Sequence, residues 1–202
     1  MSEPATNPPP GAARGRAPQR RNEQARLAVL HAADDLLAER GFVGVTMEGI
    51  AARAGVAKQT IYRWWPSKVE VLLDTLTDDA RKTLAVPETG SAIEDARRYL
   101  RNLARFITGD PAGKVLLALI GEAQHDQQMA RVFHERYLDP QRRAEQAMLA
   151  RGVAAGELPA GLDVDRALDM LCGPVFYRAL VTGGPISAAF TDRLIDDVLR
   201  TG

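Results

Sequence analysis

Residues 46–68, TMEGIAARAGVAKQTIYRWWPSK, constrain the fold more than any other stretch of this chain. Thr46 suits the start of a short helix, because its hydroxyl can accept a hydrogen bond from a first-turn N–H. Ile50, Ala51 and Ala54 then recur at helical spacing on one face. Gly55 ends that segment, since glycine enters a tight left-handed turn without a Cβ penalty. Val56 plugs the corner, and Ile61 and Trp65 share a face of the second segment. Small residues at 51 and 54 let two short helices cross closely. The pattern predicts a helix-turn-helix, a geometry that sets its second helix into a DNA major groove.

With Ile61 and Trp65 turned inward, Lys58, Gln59, Thr60, Tyr62 and Arg63 are left on the outside. Glutamine bonds base edges, and lysine or arginine pairs with guanine O6 and N7. Threonine and tyrosine hydroxyls hold phosphates and fix register. Thr46 can offer its hydroxyl and a free N–H to a phosphate at a helix start. Lys68 adds a charge on the same side. Trp64 either lies against the sugar-phosphate backbone or covers a gap beside Trp65.

The formal net charge is zero, but it divides unevenly. Residues 1–68 carry 10 Lys/Arg and 6 Asp/Glu, an excess of +4, which residues 69–202 balance with −4. The basic part therefore coincides with the helix-turn-helix, as contact with phosphate requires. No apolar run reaches the ~20 residues of a membrane span. The N-terminus lacks the apolar core of a secretory signal. With a single Cys172 there is no internal disulfide, and the expected compartment is the cytoplasm.

Residues 1–21 read as a disordered basic tail, with Pro8, Pro9, Pro10, Gly11, Gly15 and Pro18 opposing a helix. Arg14, Arg16, Arg20 and Arg21 either follow DNA phosphates or simply solubilise. The first helix is expected to begin near Asn22 and to stop at Gly41-Phe42. Helices are also expected after Ser67, Ser91 and Asp110-Pro111, along 127–151, and over about 163–182 and 187–200. No alternating strand pattern competes. The fold class is all-α: a three-helix DNA-binding domain over 22–66, then a helical bundle over 67–202.

The spacing has a family likeness. Leu36-Leu37, Arg40-Gly41-Phe42, Thr46, Ile50-Ala51, Ala54-Gly55-Val56, Thr60-Ile61-Tyr62, Trp65 and Ser67-Lys68 followed by Leu72 resemble the DNA-binding domain of TetR-family transcriptional regulators. The string from Gly173 to Leu180, then Thr182-Gly183 and Pro185, looks like one subgroup of TetR-like C-terminal domains. The resemblance implies a homodimer on a palindromic double-stranded operator, most often as a repressor, with a bundle that binds a small-molecule effector and dimerises. It places Thr46, Tyr62 and Lys68 at phosphate-contact positions and Lys58, Gln59 and Arg63 at base-facing ones. Trp64 sits where a histidine or tyrosine is frequent, so an indole N–H bond to the backbone is part of the same expectation.

On that footing, Phe106, Leu119, Met129, Phe133, Tyr137, Phe176 and Tyr177 are candidates to line the effector pocket, with core packing the competing role for each. Leu168, Leu171, Val175 and Leu180, with Leu194, Ile195, Val198 and Leu199, form apolar stripes expected at the dimer interface. His125 and His134 are nine residues apart and share no helix face, so no metal is expected, nor any other cofactor. No phosphate loop or nucleophile elbow points to catalysis. The alternative is a small-molecule- or protein-binding helical dimer without sequence-specific DNA binding.

Overall fold

A computed structural model of the chain describes residues 16–200. Its helices are α1 (Arg16–Gly44), α2 (Met47–Ala54), α3 (Lys58–Trp64), α4 (Lys68–Thr83), α5 (Ala92–Gly109), α6 (Pro111–Ala123), α7 (Gln127–Phe133), α8 (Asp139–Ala154), α9 (Val164–Tyr177) and α10 (Ala188–Leu199). Among the described residues there is no strand, and no helix is long and apolar enough to cross a membrane.

Polar caps set most of the boundaries. The side chains of Thr46, Ser67, Ser91 and Asp110 each accept a first-turn N–H, opening α2, α4, α5 and α6. Gly41 interrupts α1 with φ 66°, where the Gly-Phe stop was expected, and one further turn follows it. The beginning of α1 differs from expectation. It starts at Arg16 rather than Asn22, so the 1–21 tail is not irregular throughout. Pro18 lies in the first turn, where a missing N–H breaks no helical bond. The remaining tail, residues 1–15 with Arg14, lies outside the described residues.

One apolar core runs through both halves of the chain. In the N-terminal unit Leu30, Ala33, Leu36 and Leu37 of α1 meet Ile50, Ile61 and Trp65. The same helix packs on α4 and α6, so α1 joins the DNA-binding unit to the bundle. In the bundle α5 is central, against α6, α8 and α10. Glu157, in the Gly/Ala/Pro loop after α8, reaches back to cap α5. Its carboxylate accepts the N–H of Ala92 at 2.6 Å and of Ile93 at 3.2 Å.

Asp34 is a weak point of the α1–α4–α6 junction. Its Oδ1 is buried without a hydrogen-bond partner. Burial pushes the carboxyl up, and the carboxylates of Asp79, Asp35 and Asp110 push it further against the opposing pull of His31. A carboxyl whose pKa is higher in the folded state favours folding most at low pH, and that contribution is lost as pH rises through its folded pKa. Asp34→Asn removes the charge and should therefore stabilise the protein at pH 7, by about 1 kcal/mol or less because the half-exposed carboxyl is partly screened by solvent. For a chain of this size that is roughly 2–4 °C in Tm per kcal/mol. The gain should shrink as pH falls and the native side chain takes up its proton. Thermal melts at both pH values check this, and a lower Tm for the variant at pH 7 would refute it.

Candidate DNA interface and ligand cavity

The turn between α2 and α3 is built as glycine dictates. Gly55 has φ 66° and ψ 29°, and the Val56 N–H returns to the Ala51 carbonyl at 3.0 Å. Ile61 is fully buried and Trp65 nearly so, which seats α3 on α2. The Trp65 indole N–H donates to Asp74 Oδ2 of α4 at 2.8 Å. Bidentate bonds from Arg53 to Glu39, at 2.6 and 2.7 Å, hold α2 to α1. The exposed face of α3 then carries Lys58, Gln59, Tyr62 and Arg63, with Thr60 half-buried at its edge. Thr46 is exposed beside this face, its hydroxyl oxygen accepting the Gly49 N–H at 3.1 Å. Trp64 is half-buried and packs edge-on against Trp65, with ring centroids 5.6 Å apart.

Glu48, which the sequence did not single out, organises the charges here. Lys58 Nζ lies 2.6 Å from its Oε1, and the Tyr62 hydroxyl donates to the same oxygen at 3.3 Å. The Lys58 hydrogen bond holds the Glu48 carboxyl below its ordinary range, and Glu48 in turn raises Lys58. An acid thus occupies, in the free protein, the two groups best suited to meet DNA. Lys68, expected at a phosphate-contact position, is half-buried in the free protein. Its Nζ donates to the Phe42 carbonyl at 2.8 Å and sits 4.2 Å above the Phe42 ring. Burial pushes its pKa down. The kinked end of α1 leaves carbonyls without helical partners, and a lysine at the start of α4 satisfies one.

The bundle holds a half-open cavity of about 590 Å³ between α5, α6, α8 and α9. Two prolines help to shape its walls. Pro140 has no N–H to give, and just before it the chain takes a π-helical turn over His134–Leu138, with the Asp139 N–H reaching the His134 carbonyl. Pro174 lies inside α9, which ends in a second π-helical turn, Arg178–Thr182, closed by Gly183 N–H to the Arg178 carbonyl at 2.8 Å. Tyr137 and Leu138 come to the wall from the first irregularity, and Gly173 and Phe176 from beside Pro174.

Of the seven pocket candidates, Tyr137 and Phe176 line this cavity. Phe106, Leu119, Met129 and Phe133 are instead buried in the core, Phe133 stacked on Tyr137 at 5.7 Å. Tyr177 points to solvent, 58% exposed. The polar wall of Tyr99, Gln141, Arg142 and Glu145 was not anticipated from the sequence. A signal for it existed. Gln141, Glu145, Met148, Leu149 and Gly152 follow helical spacing, which places Glu145 on the apolar face of α8.

The dimer stripes need correction. Leu168, Leu171 and Val175 of α9, and Ile195 and Leu199 of α10, are buried within the single protomer. Their helix faces look into the bundle, so they have no surface to share with a second copy. Leu194 and Val198 are partly buried against the same core, and only Leu180 of the expected set is openly exposed. The outward apolar residues of this region are Met170, Tyr177, Leu180 and Val181.

A polar chain links the π-helical turn beside the cavity to the DNA face. Arg136, in the first π-helical turn, bonds Glu70 and Asp74 of α4. Asp74 also holds the Trp65 indole, and Arg26 of α1 lies 3.6 Å from its carboxylate.

Comparison with known proteins agrees with this architecture. Residues 29–75 match the bacterial regulatory proteins of the tetR family, and residues 86–198 match the tetracyclin repressor-like C-terminal domain. The HTH-type transcriptional regulator YdeS of Bacillus subtilis is 40% identical over 180 residues, 89% of this chain and 90% of its own. The DNA-binding transcriptional repressor TetR of Mycobacteroides abscessus is 34% identical, covering 89% and 94%. The crystal structure of the TetR family transcription regulator SCO0332 superposes with a TM-score of 0.75 at 34% identity, covering 89% of this chain and 98% of that one. With the helix-turn-helix, the all-α bundle and these relatives in agreement, the chain belongs to the TetR family of transcriptional regulators, non-enzymatic proteins that bind DNA.

Proposed function

We propose that this chain is a ligand-responsive repressor that acts in the cytoplasm as a homodimer on a two-fold symmetric operator. The observation that carries the reading is the polar connection from the end of α3 to the π-helical turn whose Tyr137 and Leu138 line the cavity. Trp65, at the end of the DNA-facing helix, and Arg136, in the cavity's π-helical turn, meet on the one carboxylate of Asp74. An effector that shifts the π-helical turn would pull on α4, and α4 would re-aim α3. Two α3 helices must fit successive major grooves roughly 34 Å apart, so a modest rotation of each unit spoils the fit. An effector acts only through a difference in affinity between the two states; a tenfold difference corresponds to about 1.4 kcal/mol. The repressor assignment is supported by the 34%-identical mycobacterial relative.

A gel-shift titration over genomic fragments tests the DNA reading; binding without any sequence preference at moderate salt would sink it. Within the interface, Lys58, Gln59 and Arg63 are assigned to bases, and Thr46, Tyr62 and Lys68 to phosphates. Lys58→Ala or Gln59→Ala should change the preferred operator, at about 1–3 kcal/mol for each base that the side chain reads. Selection of binding sites from random DNA measures this. An unchanged consensus, with affinity lowered equally on all sequences, would reassign both residues to phosphates.

A further inference from the structure

Glu145 supplies the chemistry of the cavity. It projects from α8 into the wall and is 8% exposed. Its hydrogen-bonding neighbours are neutral. The Tyr99 hydroxyl donates to Oε1, and the Gln141 amide, which donates to that hydroxyl oxygen at 3.0 Å, also stands beside the carboxylate. The one guanidinium on the wall, Arg142, is turned to α9, where it donates to Asp169 Oδ1 at 2.7 Å and to the Asp165 carbonyl at 2.8 Å. At the rim, His134 lies 4.0 Å from Asp139. The wall therefore carries the carboxylates of Asp139, Glu145 and Asp169 against the single Arg142.

A buried carboxylate without a dedicated cation is unfavourable. Burial pushes the Glu145 carboxyl above its ordinary range, only partly opposed by Tyr99 and Arg142. Tyr99, Tyr137 and Phe176 surround the acid with aromatic rings, whose faces attract cations. A ligand anion would meet the opposite conditions. The volume, about 590 Å³, is that of a site for a drug-sized molecule.

We propose that the cavity takes an organic cation: an aromatic or otherwise apolar body bearing one protonated amine or amidine, seated against Glu145. This rests on the reading of the cavity as the effector site, and the test separates the two.

Three fluorescent probes with a common body are titrated into the full-length protein: 9-(aminomethyl)anthracene, 9-anthracenemethanol and anthracene-9-carboxylate. The amine should bind at least tenfold more tightly than the alcohol, and the acid most weakly. Glu145→Gln retains the shape and an acceptor for Tyr99 but removes the charge, and should reduce the amine preference to threefold or less. Tyr99→Phe retains the carboxylate and should keep the preference, so the assignment stands or falls even if the Glu145 variant folds poorly. Equal binding of amine and alcohol to the wild type, or tighter binding of the acid, overturns the proposal. Operator release is measured in parallel. Glu145-dependent binding of the amine without release supports the cation site and refutes its effector role. Release by the alcohol or the acid alone supports the effector role and refutes the cation. Failure of all three to bind at millimolar concentration overturns both.

Discussion

Gly113→Ala should cost this protein about 3–5 kcal/mol, at the severe end of single substitutions. Gly113 stands in the first turn of α6, immediately after the Asp110 cap, where α6 folds back onto α5. A Cβ built on it would lie 1.9 Å from the Phe106 carbonyl oxygen and 3.0 Å from the Ile107 Cα. Both are backbone atoms of the helix that α6 packs against, so no side-chain rotation relieves the overlap. The two helices would have to separate near Phe106, Val115 and Leu116, all buried. Native interiors are packed too densely to absorb such a shift without opening voids. The expected fall in Tm is roughly 10 °C, from about 2–4 °C per kcal/mol at this chain length. Gly121→Ala, where a Cβ meets open space on the same helix, serves as the control and should leave Tm within about 2 °C or raise it slightly. A Gly113 variant that melts with the wild type would show that α5 and α6 are not this closely seated.

Gly113 carries no warning in the sequence, and the contrast with Gly55 explains which parts of this fold could be read in advance. Gly55, Thr46, Ser67, Ser91 and Asp110 act on the backbone within a few residues of themselves, so their roles follow from local rules. That made the helix-turn-helix and most helix ends legible. Pro18 misled because a proline tolerated in a first turn looks the same in sequence as one that breaks a helix. Gly113 depends on Phe106 across a turn, and Glu145 depends on Tyr99 across the bundle, 46 residues away. An apolar or aromatic residue on a central helix fits Phe106 and Leu119 in the core as well as Phe176 on the wall. The irregular turns beside Pro140 and Pro174 decide between them. The dimer stripe failed for a related reason. Helix α9 is apolar on two sides, and spacing alone cannot say that Leu168, Leu171 and Val175 face inward while Met170 and Tyr177 face out.

That second side of α9 carries the other large expected effect: Tyr177→Asp combined with Val181→Asp should convert the protein to monomers. Met170, Tyr177, Leu180 and Val181 are each 46–67% exposed and run along α9 and the π-helical turn after it. A contiguous apolar strip on a surface helix is what an interface between copies presents, and a two-fold arrangement would lay the strip against itself. Two carboxylates at its centre would face two more across the axis, unpaired and desolvated. The protomer core is left intact, because both side chains point to solvent. Circular dichroism and Tm should therefore remain near those of the wild type while the mass by light scattering halves. Operator affinity should fall more than 100-fold, since the second half-site would no longer be held at high effective concentration. Val175→Asp should instead unfold the chain, because Val175 is fully buried. A double variant that stays dimeric and keeps its operator affinity would move the interface elsewhere. Because α9 also contributes Cys172 and Phe176 to the cavity wall, dimer contact and ligand contact would share one helix, so an occupant of the cavity could act on the spacing of the two α3 helices through the interface as well as through Asp74.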